Sequence, residues 1–459
     1  MASALNRTKY TGAGTSVPRG VPDGPRDSPV PARTLADMRI VTAAEAVSGI
    51  ASGQQIYLQC AAATPSVLLD ALVARASELA DVSVVHLHCE GPGPHLAPEM
   101  APHFRHRALF IGPNARQAIA DGRADYAPTF LSDVPRLFDR GLLPLDAVLV
   151  NATPPDGHGF CSLGTSVEAI HAAIRAARTV IVQFNSAMPR TLGDSFIHVS
   201  QIDLAVECDV PPYEVPVGPI GEIERRIGEY VAELVPDGAT LQLGIGAIPA
   251  ATAIALRDKR DLGVHTEMFT DSVVDLVEAG VITGARKERN RGKLVTAFVM
   301  GTKRLYDFVD DNPMVEMRPV DFTNDTHVIR SFSRMVAINS AIEVDLSGQV
   351  VADSIGHRLY SGVGGQMDFI RGAGLATEGR AIIALPSMAR SGQSRIVSSL
   401  QEGAGVVTTR AHVRTVVTEW GVAELFGMSM RERAAALIAI AHPDVRDALA
   451  AEVHANHLG

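Results

Sequence analysis

From Ala36 onward the chain alternates between two hydrophobic rhythms. Short runs rich in β-branched residues, at 55–59, 83–88, 146–150 and 179–183, alternate with longer Ala/Leu/Arg stretches such as 65–79 and 166–177. The first kind reads as strand and the second as helix. Strands alternating with helices mean βαβ units, so the predicted class is α/β with mostly parallel sheets. The rhythm breaks at Pro211-Pro-Tyr-Glu-Val-Pro-Val-Gly-Pro219, where four of nine residues are proline. Such a run continues neither a helix nor a central strand. Beyond it the alternation restarts, with a helical pattern over 222–235 and strand-like runs at 240–243, 295–300, 349–353, 381–385 and 414–419. Helical patterns at 430–440 and 444–453 close the chain.

The two halves echo each other. Tyr57-Leu-Gln-Cys-Ala-Ala-Ala-Thr-Pro65 overlays Leu241-Gln-Leu-Gly-Ile-Gly-Ala-Ile-Pro249. Each is a strand, a turn of small residues, and a proline that opens a helix. Each is followed by a second strand ending in an acid, Glu90 in one half and Glu267 in the other. Duplication and chance both produce an echo this short. If the halves are duplicates, a ligand belongs between two related lobes, at the carboxyl ends of their strands. The predicted organisation is a flexible tail over 1–33, an α/β domain over 34–210, a Pro-rich linker over 211–219 and a second α/β domain over 220–459.

Composition narrows the function. A chain of 459 residues is too long for one ordinary core, which agrees with two domains of about 200 residues each. Lys and Arg number 41 against 51 Asp and Glu, a net charge of −10. That balance argues against a nucleic-acid partner, whose phosphates need a basic face. The cysteines, Cys60, Cys89, Cys161 and Cys208, form no C-x-x-C pair. Such usage in a long chain fits a reducing compartment, the cytoplasm, and neither a disulfide scaffold nor a zinc site. The longest early uncharged stretch, 46–69, is broken by Gly, Ser, Gln, Thr and Pro, so no membrane span is expected. Residues 1–33 are rich in Pro and Gly and lack an apolar block, which speaks against a secretory signal and against an amphipathic transit helix.

Several motifs carry candidate chemistry. Gly244-Ile-Gly-Ala-Ile-Pro249 follows a strand and opens a helix. That is the setting of a phosphate or close-approach loop, and equally of a tight turn. Pro249 stands where a dinucleotide fingerprint needs its third glycine, which disfavours a nicotinamide oxidoreductase. No P-loop sequence is present, so ATP chemistry of that kind is not supported. In His265-Thr-Glu-Met-Phe-Thr-Asp271, Glu267 emerges near a strand's carboxyl end. A carboxylate there serves as a base, as a nucleophile, or as a helix-start acid, a role Asp271 fits better. His265 reads as a core histidine. Ser361-Gly-Val-Gly-Gly-Gln366 exposes consecutive N–H groups suited to an oxyanion. The segment 151–161 must be a loop, and its His158 and Cys161 have no metal-ligand partner at suitable spacing. His86 and His88, alternating on one strand face, read as structural.

Six ordered stretches together resemble the acetyl-CoA hydrolase/transferase family, a branch of the family I CoA-transferases. They are Pro155-Asp-Gly-His-Gly-Phe-Cys-Ser-Leu-Gly164, Met188-Pro-Arg-Thr-Leu-Gly-Asp-Ser195, Leu243-Gly-Ile-Gly-Ala-Ile-Pro249, His265-Thr-Glu-Met268, Gly362-Val-Gly-Gly-Gln-Met-Asp-Phe-Ile-Arg371 and Val417-Thr-Glu-Trp-Gly-Val422. The resemblance spans roughly residues 37–454. It implies two related open α/β domains of the CoA-transferase type, with Glu267 as nucleophile and Asn324 as a side-chain donor. It implies transfer of coenzyme A between acetyl-CoA, or a similar short acyl-CoA, and a small carboxylic acid such as 4-hydroxybutyrate, through a glutamyl-CoA thioester. The alternative is hydrolysis of acetyl-CoA through the same intermediate. A homodimer or larger homo-oligomer is implied too.

The chemistry of the residues agrees. A thioester is exchanged for a thioester, so no cofactor beyond coenzyme A as substrate, no ATP and no metal is required. A carboxylate is ionised at neutral pH without a general base, but it is a weak nucleophile and needs positioning and oxyanion stabilisation. The N–H groups of Gly364 and Gly365 suit the second task. Gly244 and Gly246 would let substrate approach Glu267, with Gly362 shaping the second loop. Lys303, Arg304, Arg371 and Arg395 are candidate contacts for the anionic coenzyme. Cys60 sits in the first-half turn at a position with no family requirement, which puts acceptor preference in doubt. A non-catalytic binding protein of this fold would lack the reactive carboxylate.

Overall fold

The computed structural model describes residues 38–455. The expected tail over 1–33 lies outside the described residues. Two eight-stranded sheets dominate the fold. The first contains β1 (Arg39–Ile40), β2 (Gln55–Leu58), β3 (Val82–His86), β4 (Phe104–Ala108), β5 (Ala124–Tyr126), β6 (Leu145–Ala152), β7 (Ala177–Asn185) and β8 (Leu204–Cys208). The second contains β9 (Thr240–Leu243), β10 (Gly263–His265), β11 (Leu294–Thr296), β12 (Val315–Met317), β13 (Met335–Ser340), β14 (Arg380–Ala384), β15 (Thr415–Thr418) and β16 (Gly421–Glu424). All pairings are parallel except β15 with β16.

The echo between the halves extends to topology. The first sheet runs β5-β4-β3-β2-β6-β7-β8 and then β1. The second runs β12-β11-β10-β9-β13-β14-β15 and then β16. Numbered from β2 and from β9, the first seven strands follow one order. Each echo segment supplies the founding strand, β2 or β9, and then a helix, α1 (Ser66–Ala74) in the first half and, after α2 (Glu222–Glu233), α3 (Ala247–Ala255) in the second. The order in which strands are added reverses between β2 and β6, and again between β9 and β13, which are the switch points where such sheets open a crevice. The interior of β6 shows why the sheets are covered on both faces: seven of its eight residues are buried, the mark of a central parallel strand.

Several expected elements moved. The helix expected from 166 begins at Ile170, because the Val167 and Glu168 N–H groups donate instead to the Ala297 carbonyl. The run at 295–300 splits. Its first part is β11, while Phe298–Val299 pairs with Met268–Phe269 in a separate ribbon. The run at 349–353 shrinks to Val350–Val351 in a small three-stranded sheet. Residues 211–219 form neither helix nor strand and are held by tertiary contacts. Val215 N–H donates to the Gly301 carbonyl at 2.8 Å, and the Tyr306 hydroxyl donates to the Tyr213 carbonyl at 2.5 Å.

Candidate active site

The carboxyl ends of three adjacent strands of the second sheet build the site. β9 runs into Gly244, β10 ends two residues before Glu267, and β13 ends at Ser340. Helix α4 (Gln366–Leu375) brings the second glycine run to the same edge, where Gln366 Nε2 meets the Ser340 carbonyl at 3.4 Å. The first sheet closes the other side. Val363 N–H donates to the Tyr126 hydroxyl at 3.0 Å, and Leu131 N–H donates to the Gly364 carbonyl at 3.1 Å.

The main chain of Glu267 is fixed. Its carbonyl accepts from Ala297 N–H at 2.9 Å, Phe298 N–H at 3.0 Å and the Thr296 hydroxyl at 3.1 Å. The residue keeps part of its surface open, while its carboxyl group is walled in by protein. Oε2 accepts from Asn324 Nδ2 at 3.0 Å. Burial pushes this carboxyl up to about 7, the Asn324 bond pulls it down, and Asp368 adds to the rise. Asn324 is fully buried, and its carbonyl accepts from the Thr323 hydroxyl at 2.8 Å.

Gly365, at the start of α4, lies directly against the Glu267 carboxyl and the Asn324 amide. Its N–H donates to no group among the described residues, and the Gly364 carbonyl accepts from Leu131 N–H in a bridge to Phe130. Gly362 and Gly364 both pack on Phe110. Gly246 has φ of +118°, a conformation open to glycine, and nothing crowds its side-chain direction. Gly244 is likewise uncrowded.

The structure therefore brings Glu267, Asn324 and Gly365 together. The basic candidates stand apart from that group. Lys303 is an exposed residue whose ammonium holds Asp307 at 2.6 Å. Arg304 holds Asp275 at 2.6 Å and Glu278 at 2.5 Å. Arg371 is exposed on α4, and its charge is felt by His412 and Arg414. Arg395 donates to the Ala341 carbonyl at 3.1 Å, beside the end of β13. None of the four forms a hydrogen bond or ion pair with Glu267 or Asn324.

Cys60 lines no open wall. It is fully buried, 3.4 Å from the Ser166 hydroxyl, and burial pushes its thiol well up. His265 is a core histidine, bonded through one ring nitrogen while its buried Nδ1 has no partner among the described residues. Its Nε2 bonds the Thr323 carbonyl at 2.9 Å, its ring sits among Phe322, Phe332 and Phe369, and burial pushes it down to about 3. His86 bonds His106 at 2.5 Å inside the first sheet, and His88 bonds Glu90 at 2.6 Å. Among the described residues no cluster of three or more His, Cys, Asp or Glu is arranged to hold a metal ion, and no helix is long and apolar enough to cross a membrane.

Asp368 and Ser132 were not singled out by the sequence. Asp368 Oδ2 accepts from the same Asn324 Nδ2 at 3.3 Å, and its Oδ1 accepts from the Ser132 hydroxyl at 2.8 Å. In sequence Asp368 reads as an ordinary first-turn acid. Ser132 lies 236 residues away and carries no local signal.

Comparison with known proteins decides the family. The acetyl-CoA hydrolase/transferase N-terminal domain matches residues 34–216, and the C-terminal domain of that family matches residues 301–453. The 4-hydroxybutyrate coenzyme A transferase of Clostridium kluyveri is 49% identical, over 90% of this chain and 96% of that one. The chain belongs to the acetyl-CoA hydrolase/transferase family. The succinyl-CoA:acetate/propanoyl-CoA:succinate CoA transferase of Fasciola hepatica is 48% identical over 93% of this chain and 90% of its own. The crystal structure of 4-hydroxybutyrate CoA-transferase from Porphyromonas gingivalis superposes with a TM-score of 0.79 at 40% identity, covering 91% of this chain and 98% of that one. Family membership makes this chain an enzyme of the CoA-transferase class.

Proposed function

We propose that this enzyme moves coenzyme A between acetyl-CoA, or a similar short acyl-CoA, and a small carboxylic acid such as 4-hydroxybutyrate. The observation that carries the reading is the placement of Glu267: a carboxyl held by Asn324, pressed by Gly365, just beyond the carboxyl end of β10, the strand beside β9. In the first step a Glu267 oxygen attacks the thioester carbonyl of the acyl-CoA. The C–S bond breaks, leaving an acyl-glutamyl anhydride and the CoA thiolate. The thiolate then attacks the glutamyl carbonyl, releasing the first acid as carboxylate and forming glutamyl-CoA. A second carboxylate attacks that thioester and the thiolate leaves again. The thiolate finally takes the new acyl group from the anhydride and frees Glu267.

Each step passes charge through an oxyanion. Gly365, whose main chain lies against the Glu267 carboxyl and whose N–H has no acceptor among the described residues, is the main-chain donor of this reading, and Asn324 Nδ2 is the side-chain donor. Preorganised donors of this kind act in a dry site where they count most. Burial also strips water from the Glu267 carboxylate, which strengthens a poor nucleophile. Only the ionised form attacks, so the raised Glu267 carboxyl makes the rate climb with pH up to about 7. The distinguishing experiment measures CoA release from acetyl-CoA with and without added short-chain acids. Transfer predicts new acyl-CoA and acid-dependent turnover. Full-rate CoA release without any acid would show a hydrolase instead. Light scattering tests the accompanying proposal of a homodimer or larger assembly.

A further inference from the structure

Asn324 has two amide hydrogens, and both are committed to carboxylates. One goes to Glu267 Oε2 at 3.0 Å and the other to Asp368 Oδ2 at 3.3 Å. Asp368 is 6% exposed and is itself held from the far side by Ser132, whose N–H lies 3.2 Å from Oδ2 and whose hydroxyl lies 2.8 Å from Oδ1. The result is a single chain of bonds: Ser132, Asp368, Asn324, Glu267. It starts on the 3-10 turn Leu131–Asp133, which belongs to the first half of the chain, and ends on the proposed nucleophile of the second.

We propose that Asp368 is a positioning residue for the transfer reaction, fixing which end of the Asn324 amide faces Glu267 and opposing the ionisation of that carboxyl. The proposal rests on Glu267 being the nucleophile. An amide has two ends of nearly equal shape, and only the nitrogen end donates. A carboxylate on the far side of Asn324 accepts from that nitrogen and disfavours the flipped amide, which would turn its oxygen on Glu267. The same carboxylate places a second negative charge next to Glu267 in a buried setting. Two acids so placed ionise one after the other.

The other charged groups facing the pair are few. Asp133 faces Asp368 and is held by Arg136 at 2.9 Å on the exposed side. Among the charged groups of the described residues, Glu267 faces Asp368. His265, two residues earlier, is buried neutral and turned to the Thr323 carbonyl. No cation among the described residues pairs with either acid. Asp368 is itself pushed up to about 6, chiefly by burial, and the pair titrates within the range an assay can cover.

The test is the pH profile of kcat/KM for CoA transfer in the wild type, Asp368→Asn and Ser132→Ala. Asp368→Asn keeps the side-chain shape and removes the charge. The acid limb is expected to move to lower pH by about one unit, as loss of a neighbouring like charge requires. At the same time kcat falls roughly 10-fold or more, because the Asn324 amide is no longer held in one orientation. Ser132→Ala weakens the hold on Asp368 ionisation and is expected to move the limb the same way by less; it carries the test if Asp368→Asn does not fold. An acid limb at the wild-type position in the folded variant overturns the proposal, whatever happens to kcat. A CoA adduct still forming on Glu267 in that case shows that the nucleophile stands and only the role of Asp368 fails. Absence of the adduct in the wild type instead removes the reading beneath it.

Discussion

A β-carbon placed on Gly365 would lie 1.8 Å from Glu267 Oε2 and 2.2 Å from Asn324 Nδ2. The main chain at Gly365 and the carboxyl of Glu267 therefore share a contact that no other residue type permits. The φ of −95° at Gly365 is open to any residue, so space, not backbone conformation, requires the glycine. In Gly365→Ala the carboxyl or the loop must shift. A displacement of about 1 Å costs around 100-fold in rate. We expect kcat to fall by about that factor, with the circular dichroism spectrum unchanged. Wild-type kcat in a folded Gly365→Ala would show that the contact plays no part in turnover.

Asn324→Ala removes the one side-chain donor to the Glu267 carboxyl among the described residues. Loss of a preorganised oxyanion donor costs roughly 100- to 1,000-fold in kcat. The loss should appear in kcat more than in KM, because the donor acts on charge that develops during the reaction. Steady-state kinetics in both substrates reads this split directly.

Glu168 is a stability prediction away from the site. Its carboxyl is fully buried, accepts from the Tyr57 hydroxyl at 2.9 Å, and is pushed by burial up to about 7. An unfolded glutamate releases its proton near pH 4.3. Between these values the folded chain holds a proton that the unfolded chain has lost, so this group's contribution falls as pH rises and is smallest above about 7. Glu168→Gln removes the buried charge. It should change little at pH 5 and stabilise by on the order of 2–3 kcal/mol at pH 8. Melting curves at the two pH values check this, and equal effects at both would contradict it.

How far the sequence reaches depends on the range of the signal. The position of Glu267 was legible because a strand end, a glycine turn and an acid stand close together in the chain. The α/β class was legible from the alternation of runs. Strand β13 was not, since Met335-Val-Ala-Ile-Asn-Ser340 offers four apolar residues and no alternation, and short apolar runs do not separate strand from helix. Its place beside β9, which creates the switch point, is a property of the whole sheet. The basic residues are a different case: an arginine or lysine is chosen from sequence by its charge, and its partners, such as the surface carboxylates that Lys303 and Arg304 hold, appear only in the fold. The link from Ser132 to Asp368 spans 236 residues and becomes visible only when the two halves are folded together.

The most direct measurement incubates the protein with acetyl-CoA alone, digests it and locates bound CoA by mass spectrometry. Glutamyl-CoA formation predicts the mass of CoA, less water, on the peptide containing Glu267, with one acetate released per adduct. Glu267→Gln should show no adduct and no transfer in freshly prepared protein. CoA found on Cys60, Cys161 or any residue other than Glu267, or wild-type transfer rates in Glu267→Gln, would contradict the mechanism.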